Sequence, residues 1–172
     1  LLDFSIPIIP SFVKMDFSEL PALIGAFAFG PVSGVAVCLV KNLLHLLVTS
    51  TGGVGELANF LLGAAFVFPA GLIYKRMNSR KGALIGSVVA SAVMAAISLP
   101  VNLYITYPFY TNFMPMESII GAYQAIIPWV DSLTKALLIF NVPFNFVLKG
   151  LGNAFITFLI YKKISPLLKG RH

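Results

Sequence analysis

The sequence predicts an all-α integral membrane protein, a bundle of six transmembrane helices whose first helix is largely missing from this chain. The 172 residues are 58% apolar and only 10% charged, whereas soluble domains carry about 25% charged residues. Two uncharged runs, residues 57–74 and 82–116, are comparable to or longer than the roughly 20 helical residues that cross a bilayer. Neither run alternates apolar and polar residues as a barrel strand does, so helices are favoured.

The whole chain, residues 1–172, is predicted to form a single membrane-embedded domain. A protein of this size cannot hide such an excess of apolar side chains in a water-soluble core, so many of them must face lipid. The chain opens on Leu1 without a basic segment, which does not fit a signal peptide. We therefore expect the first residues to be the outer end of an earlier helix. Cys38 is the single cysteine and is expected to be a small buried residue.

Charge placement predicts the orientation in the plasma membrane. Eight of the twelve basic residues fall into two clusters, at residues 75–81 and 162–171. Lys and Arg are enriched in cytoplasmic loops, so both clusters are predicted to be cytoplasmic. A helix over about 81–107 then crosses outward, and a helix over about 142–161 returns. Residues 111–141 between them are predicted to be an external loop with a short interfacial helix.

The front half requires a reversal at Gly30 and Pro31 to keep the first basic cluster inside. Glycine commonly ends a helix and proline opens the next one at its first turn. The expected helices are residues 17–29, 31–48 and 57–74. Residues 5–20 are predicted to lie against the bundle as a lid, and residues 49–56 to form a flexible loop.

A polar stripe on the last helix is the strongest candidate binding feature. Asn145, Lys149 and Asn153 recur every four residues, which places them on one helical face. A packing seam beside Gly150, with Lys149 reaching outward, is the alternative. However, Lys149 lies about 20 Å of helix from the cytoplasmic lysines at ~1.5 Å per residue, too far for its side chain to reach that surface. This distance favours a cavity that binds a ligand.

Three further polar residues are candidates for the same cavity. Asn102 follows Pro100 in the long apolar run, and either caps the broken turn or contacts a ligand. Glu56 and Asn59 follow the glycine loop, where helix initiation is the competing explanation.

Other charged residues are predicted to be peripheral. Lys41 and His45 lie one turn apart near an outer helix end and are expected to reach the outer interface. All six acidic residues lie outside the longest apolar runs. They are Asp3, Asp16, Glu19, Glu56, Glu117 and Asp131.

Enzymatic motifs are absent from the sequence. It contains no zinc-protease motif, no Cys-x-x-Cys and no phosphate-binding glycine loop, and its histidines are His45 and His172. We therefore predict a protein that is not an enzyme and has no catalytic cofactor. Energy for any uphill transport must come from partners or from an ion gradient.

Several short motifs resemble the substrate-binding (S) subunits of energy-coupling-factor (ECF) vitamin transporters, and most closely the riboflavin-specific ones. The similarity covers nearly the whole chain, and its motifs are residues 10–21, 28–31, 41–45 and 56–60. The resemblance implies a six-helix membrane bundle that holds riboflavin near its outer face. It also implies partners, namely a transmembrane coupling subunit and two cytoplasmic ATPase subunits, but no nucleic acid.

A motif on the last helix of riboflavin subunits resembles Pro143-Phe144-Asn145 and Lys149-Gly150 of this chain. Two residues separate the Asn and Lys in that motif, whereas three do here, so Asn141 or Asn153 is expected to share the role. Amide and ammonium groups suit the carbonyl and N–H edge of a flavin, and apolar residues would enclose its rings.

Two other functions stay open from the sequence. An S subunit for another vitamin such as thiamin is one, although a cationic ligand favours carboxylates or an aromatic cage in the pocket, and the acids are predicted to be peripheral. A membrane assembly subunit that binds no small molecule is the other.

Overall fold

A computed structural model describes Asp3–Ser5, Lys14–Asp16, residues 19–49 and residues 52–169, with side chains described over 19–49 and 52–160 and at Lys163 and Pro166. The described helices are α1 (Glu19–Phe29), α2 (Pro31–Leu46), α3 (Val54–Met77), α4 (Arg80–Tyr110), α5 (Met116–Gln124) and α6, whose apolar part is Leu133–Ile160 and whose last segment is Gly152–Lys169.

The lengths and composition of the helices fit a membrane bundle, as predicted. Among the described residues, α3, α4 and the apolar part of α6 are long and apolar enough to cross a membrane, and α1 and α2 are shorter apolar helices. In addition to the helices, the structure has a short antiparallel strand pair, in which β1 (Asp3–Ser5) pairs with β2 (Lys14–Asp16). Strand β2 lies beside residues 144–151 of α6. Most of the predicted lid, residues 5–20, is outside the described residues.

The predicted reversal between α1 and α2 is confirmed. Gly30 has φ of 102°, a conformation that side-chain-bearing residues rarely adopt. Its N–H donates to the Ala26 carbonyl over 3.0 Å, and Pro31 then opens α2. The predicted bounds of the first three helices are correct to within three residues.

The start of α6 differs from the prediction. This helix begins at Leu133, nine residues before the expected start near residue 142, so the predicted external loop is shorter. Pro143 suggested a helix start because proline disrupts a helix interior. Here it lies between π-helical segments at Leu137–Asn141 and Phe144–Leu151, where the altered hydrogen-bond pattern accommodates it. The predicted short helix in the loop is α5.

Packing produces two apolar cores. The larger core joins α1, α2, α3 and α4, and it includes the free and fully buried Cys38. The smaller core holds α5 against the adjoining ends of α4 and α6, through Tyr107, Tyr123 and Leu137. We call the end of the bundle with α5 and the 47–53 connection the loop end. The opposite end, with the Gly30 turn and the turn at residues 78–79, is the basic end.

Candidate substrate-binding site

Side chains from four helices, Lys149 of α6 among them, form a polar cluster in the half of the bundle nearer the loop end. The Lys149 Nζ atom donates to Asn59 Oδ1 over 3.2 Å and lies 3.8 Å from Glu19 Oε1. The same Glu19 oxygen accepts from Lys41 Nζ over 3.0 Å. The Lys149 side chain is only 5% exposed. It is therefore directed into the bundle and held there, rather than extended toward lipid or solvent.

The polar stripe of α6 is buried along its whole length. Its members recur every four residues and comprise Asn141, Asn145, Lys149, Asn153 and Thr157. Two amides bond along the helix, because Asn145 Nδ2 donates to the Asn141 carbonyl over 2.8 Å and Asn153 Nδ2 to the Lys149 carbonyl over 2.7 Å. The side-chain oxygens of Asn145 and Asn153 therefore take no part in these two bonds. Asn153 Oδ1 and Thr157 Oγ1 are buried without a hydrogen-bond partner.

The π-helical segment Phe144–Leu151 contains two residues of the stripe. A π-helical turn holds more residues than an α-helical turn, and such turns are frequent at functional sites. Asn145 and Lys149 both lie in this segment, and both side chains are buried. A second π-helical segment, Asn102–Thr106, begins at another candidate residue.

Asn102 and Glu56 form hydrogen bonds with residues other than Lys149. Asn102 is buried, and its Nδ2 atom donates to the Ser98 carbonyl of its own helix over 2.7 Å. Glu56 is one turn from Asn59 on α3, closer to the loop end. Its two oxygens bond His45 Nδ1 over 2.8 Å and Thr49 Oγ1 over 2.9 Å.

The prediction that all acids are peripheral is wrong for Glu19 and Glu56, which are 1% and 5% exposed. The prediction that Lys41 reaches the outer interface is wrong as well, because its side chain is 20% exposed and bonds the buried Glu19. His45 is 40% exposed, and it bonds the buried Glu56. Both acids begin apolar helices that pack inside the bundle. A buried charge requires a partner of opposite charge, and neighbouring helices supply it.

Sequence reasoning therefore missed Glu19 and Lys41 as members of the polar cluster. The available signal was chemical rather than periodic, namely an acid at the start of one apolar helix and a lysine inside the next. Nothing in their spacing indicates that they meet.

A second polar network lies toward the loop end. The hydroxyls of Tyr107 and Tyr123 are 2.5 Å apart, and the Tyr123 hydroxyl donates to Asn141 Oδ1 over 3.2 Å. Burial raises the pKa of Tyr123 on α5 above its usual value, so this phenol stays protonated and able to donate. The network joins α4, α5 and the start of the α6 stripe, and it fixes the position of Asn141 next to Asn145.

The chemistry of the cluster suits an organic ligand that forms hydrogen bonds. Lysine donates, and asparagine both donates and accepts. In the part of the chain that the structure describes, no group of three His, Cys, Asp or Glu side chains could hold a metal ion. A buried polar cluster in a bundle of apolar helices is a pattern typical of membrane proteins that bind a polar solute.

Fold and site thus define a membrane protein with a buried polar cluster among its helices. The family model for "ECF transporter, substrate-specific component" matches residues 1–161, and the chain belongs to this family. The expected resemblance is confirmed. The family consists of transporter components, so the prediction that the chain is not an enzyme is confirmed too.

Individual relatives agree with the family assignment. The chain is 34% identical over 168 residues to riboflavin transporter RibU of Staphylococcus aureus (strain TCH60), covering 98% of this chain and 83% of the relative. It is 31% identical over 173 residues to riboflavin transporter FmnP of Bacillus subtilis (strain 168), covering 98% and 85%. A solved structure described as "Structure and mechanism of the S component of a bacterial ECF transporter" matches with a TM-score of 0.73 at 34% identity, covering 97% of this chain and 86% of that chain.

Proposed function

We propose that this protein is the riboflavin-binding subunit of an ECF-type vitamin uptake transporter in the plasma membrane. Two relatives that are 31% and 34% identical over nearly the whole chain bear the name riboflavin transporter, and the family model is that of the substrate-specific component. A transmembrane coupling subunit and two cytoplasmic ATPase subunits would supply the energy.

The observation that carries the proposal is the burial of Lys149 among polar side chains. Placing a charged group at hydrocarbon depth is costly, and such groups usually mark a substrate path or site. Lys149 bonds Asn59 across the bundle, and Asn145 lies one turn away on the same buried face. Together they offer donors and acceptors to the carbonyl and N–H edge of the flavin ring.

The remaining candidates extend the proposed pocket in both directions. Asn102 would contact the ligand from α4, where the π-helical turn begins. Asn153, with its unpartnered buried oxygen, would border the pocket toward the basic end. Glu56 would border it toward the loop end, where it bonds His45 and Thr49.

A cationic vitamin such as thiamin is disfavoured as the ligand. Both buried carboxylates of the described bundle already bond cationic or ionisable partners, Glu19 with Lys41 and Glu56 with His45. A cation entering the cavity would also approach the ammonium of Lys149. Adding thiamin should therefore not displace bound riboflavin.

Quenching of flavin fluorescence on the purified protein tests the proposal. Removing one partner of a buried hydrogen bond costs about 1–3 kcal/mol, which corresponds to roughly ten- to a hundredfold in affinity. Lys149→Ala and Asn145→Ala should each weaken riboflavin binding by that factor. Lys135→Ala is the control, because Lys135 is half exposed and pairs with an exposed Asp131 at the start of α6.

Less than twofold loss in both variants would reject these residues as the site. A wild-type protein that neither quenches riboflavin fluorescence nor purifies with a yellow colour would reject riboflavin as the ligand. The assembly-subunit alternative predicts that colourless result.

A further inference from the structure

One carboxylate in the polar cluster lies within ion-pair distance of two lysines. Glu19 opens α1 and is almost fully buried, while Lys41 comes from α2 and Lys149 from α6. The same oxygen, Oε1, is 3.0 Å from Lys41 Nζ and 3.8 Å from Lys149 Nζ. Among the side chains that the structure describes, Glu19 is therefore the carboxylate that lies beside the lysine of the proposed flavin site.

The second oxygen of Glu19 is harder to explain by stability alone. Glu19 Oε2 is buried and has no hydrogen-bond partner among the residues that the structure describes. A buried acceptor without a partner costs free energy, more so when it carries charge, and an ion pair built only for stability would satisfy both oxygens. This cost suggests a role for the Glu19 charge beyond the stability of the ion pair.

We propose that Glu19 is a specificity-determining residue, which offsets the positive charge of the proposed pocket and thereby disfavours anionic ligands. The inference rests on the proposed function, because it concerns the ligand held at Lys149. Lys41 and Lys149 would attract an anion if they stood alone. The carboxylate between them weakens that attraction while leaving the N–H groups of Lys149 able to donate to a neutral flavin.

The size of the effect follows from electrostatics. A unit charge acting at a distance on the order of 10 Å, with an effective dielectric constant of about 20, changes the affinity for a singly charged ligand by about tenfold. A neutral ligand feels no such net attraction. Changing the charge of the cluster should therefore alter the ratio of two affinities, whereas general damage to the fold lowers both affinities together.

The experiment measures riboflavin and riboflavin 5′-phosphate on each variant by fluorescence quenching at one ionic strength. In Glu19→Gln, the affinity for the phosphate ester relative to riboflavin should rise by at least about tenfold, because the ester carries about 1.5 to 2 negative charges at neutral pH. In Lys41→Gln, which leaves the carboxylate to Lys149 alone, the relative affinity should fall by about the same factor. The double variant restores the charge balance and should return the ratio close to the wild-type value.

Asp131→Asn is the matched control, because it changes the net charge by the same amount as Glu19→Gln. Asp131 is 66% exposed, so salt screens its charge, and its variant should leave the ratio unchanged. A ratio that stays within twofold of wild type in Glu19→Gln and Lys41→Gln would overturn the inference. If Glu19→Gln does not fold, Lys41→Gln decides by the same criterion, and a double variant whose ratio stays as low as that of Lys41→Gln would also overturn the inference. Failure of the wild-type protein to bind riboflavin would instead reject the proposed function.

Discussion

Buried charges of this protein are paired between helices. Glu19 of α1 bonds Lys41 of α2, and Glu56 of α3 bonds His45 of α2. Each pair joins the first turn of one helix to the last two turns of α2. The backbone hydrogen bonds of a helix do not connect it to its neighbours, so side-chain pairs must do so. Breaking a buried pair by removing one partner is costly because the other charge stays buried. These residues therefore bear on stability as well as on the proposed site.

At the residue scale, we expect Glu56→Ala to lower the stability of the protein. The carboxylate accepts from both His45 and Thr49, and loss of a buried acceptor costs about 1–3 kcal/mol. Thermal unfolding followed by circular dichroism should show a lower midpoint. Glu117→Ala is the control, since Glu117 is an exposed acid on α5. Equal midpoints for the two variants would contradict the structural role of Glu56.

At the scale of helices, close approach depends on small residues where two helices cross. Helices α4 and α6 meet where Gly150 faces Ser91, and a Cβ atom added at Gly150 would lie only 3.0 Å from the Ser91 Cα atom. Membrane helices commonly associate through such positions, because small residues let their backbones pack closely. The contact sets Lys149, the residue before Gly150, at its depth in the bundle.

The corresponding prediction is that Gly150→Ala destabilises the protein. Overpacking typically costs about 1–3 kcal/mol, and the nearest atoms include the Ser91 backbone, which cannot rotate away. Gly121→Ala on α5 is the matched control, because a Cβ atom there meets nothing within 4 Å. Since alanine is a better helix former than glycine by about 1 kcal/mol, the control should unfold at the same or a higher temperature. A lower midpoint for the control than for Gly150→Ala would refute the packing argument.

At the scale of the whole molecule, the basic end is proposed to face the cytoplasm, with the polar cluster nearer the outer face. Single cysteines in a Cys38→Ala background test this orientation with a thiol reagent that does not cross membranes. Asn78→Cys and Lys163→Cys should be labelled only after the cells are opened. Gly53→Cys and Glu117→Cys should be labelled on intact cells. If the reagent does not label Gly53→Cys on intact cells, the proposed topology is wrong.

The second whole-molecule prediction separates binding from transport. Proteoliposomes that contain this chain alone should bind riboflavin without concentrating it, because the sequence has no phosphate-binding loop to use ATP. Adding the coupling subunit and the ATPases should produce ATP-dependent accumulation. Uphill uptake by the chain alone, without an ion gradient, would contradict the prediction that this chain only binds riboflavin and that the other subunits supply the energy.

Local sequence patterns predicted most of the helical framework. Long apolar runs predicted α3 and α4, and Gly30 followed by Pro31 predicted the reversal between α1 and α2. The four-residue spacing of Asn145, Lys149 and Asn153 predicted one polar face, and all three side chains are buried. These features follow from periodicity, helix-ending residues and hydropathy, all of which act over a few neighbouring residues.

Tertiary structure alone decided which polar groups meet. Glu19 and Lys41 are 22 residues apart, and no local pattern shows that α1 and α2 bring them together beside Lys149. The early start of α6 was not predicted either, because π-helical turns on both sides of Pro143 let the helix continue through a residue that usually ends one. Because the charge of a buried group must be balanced by whatever surrounds it, the sequence determined a membrane bundle with a polar stripe, and only the packing of four helices determined the charged cluster at its centre.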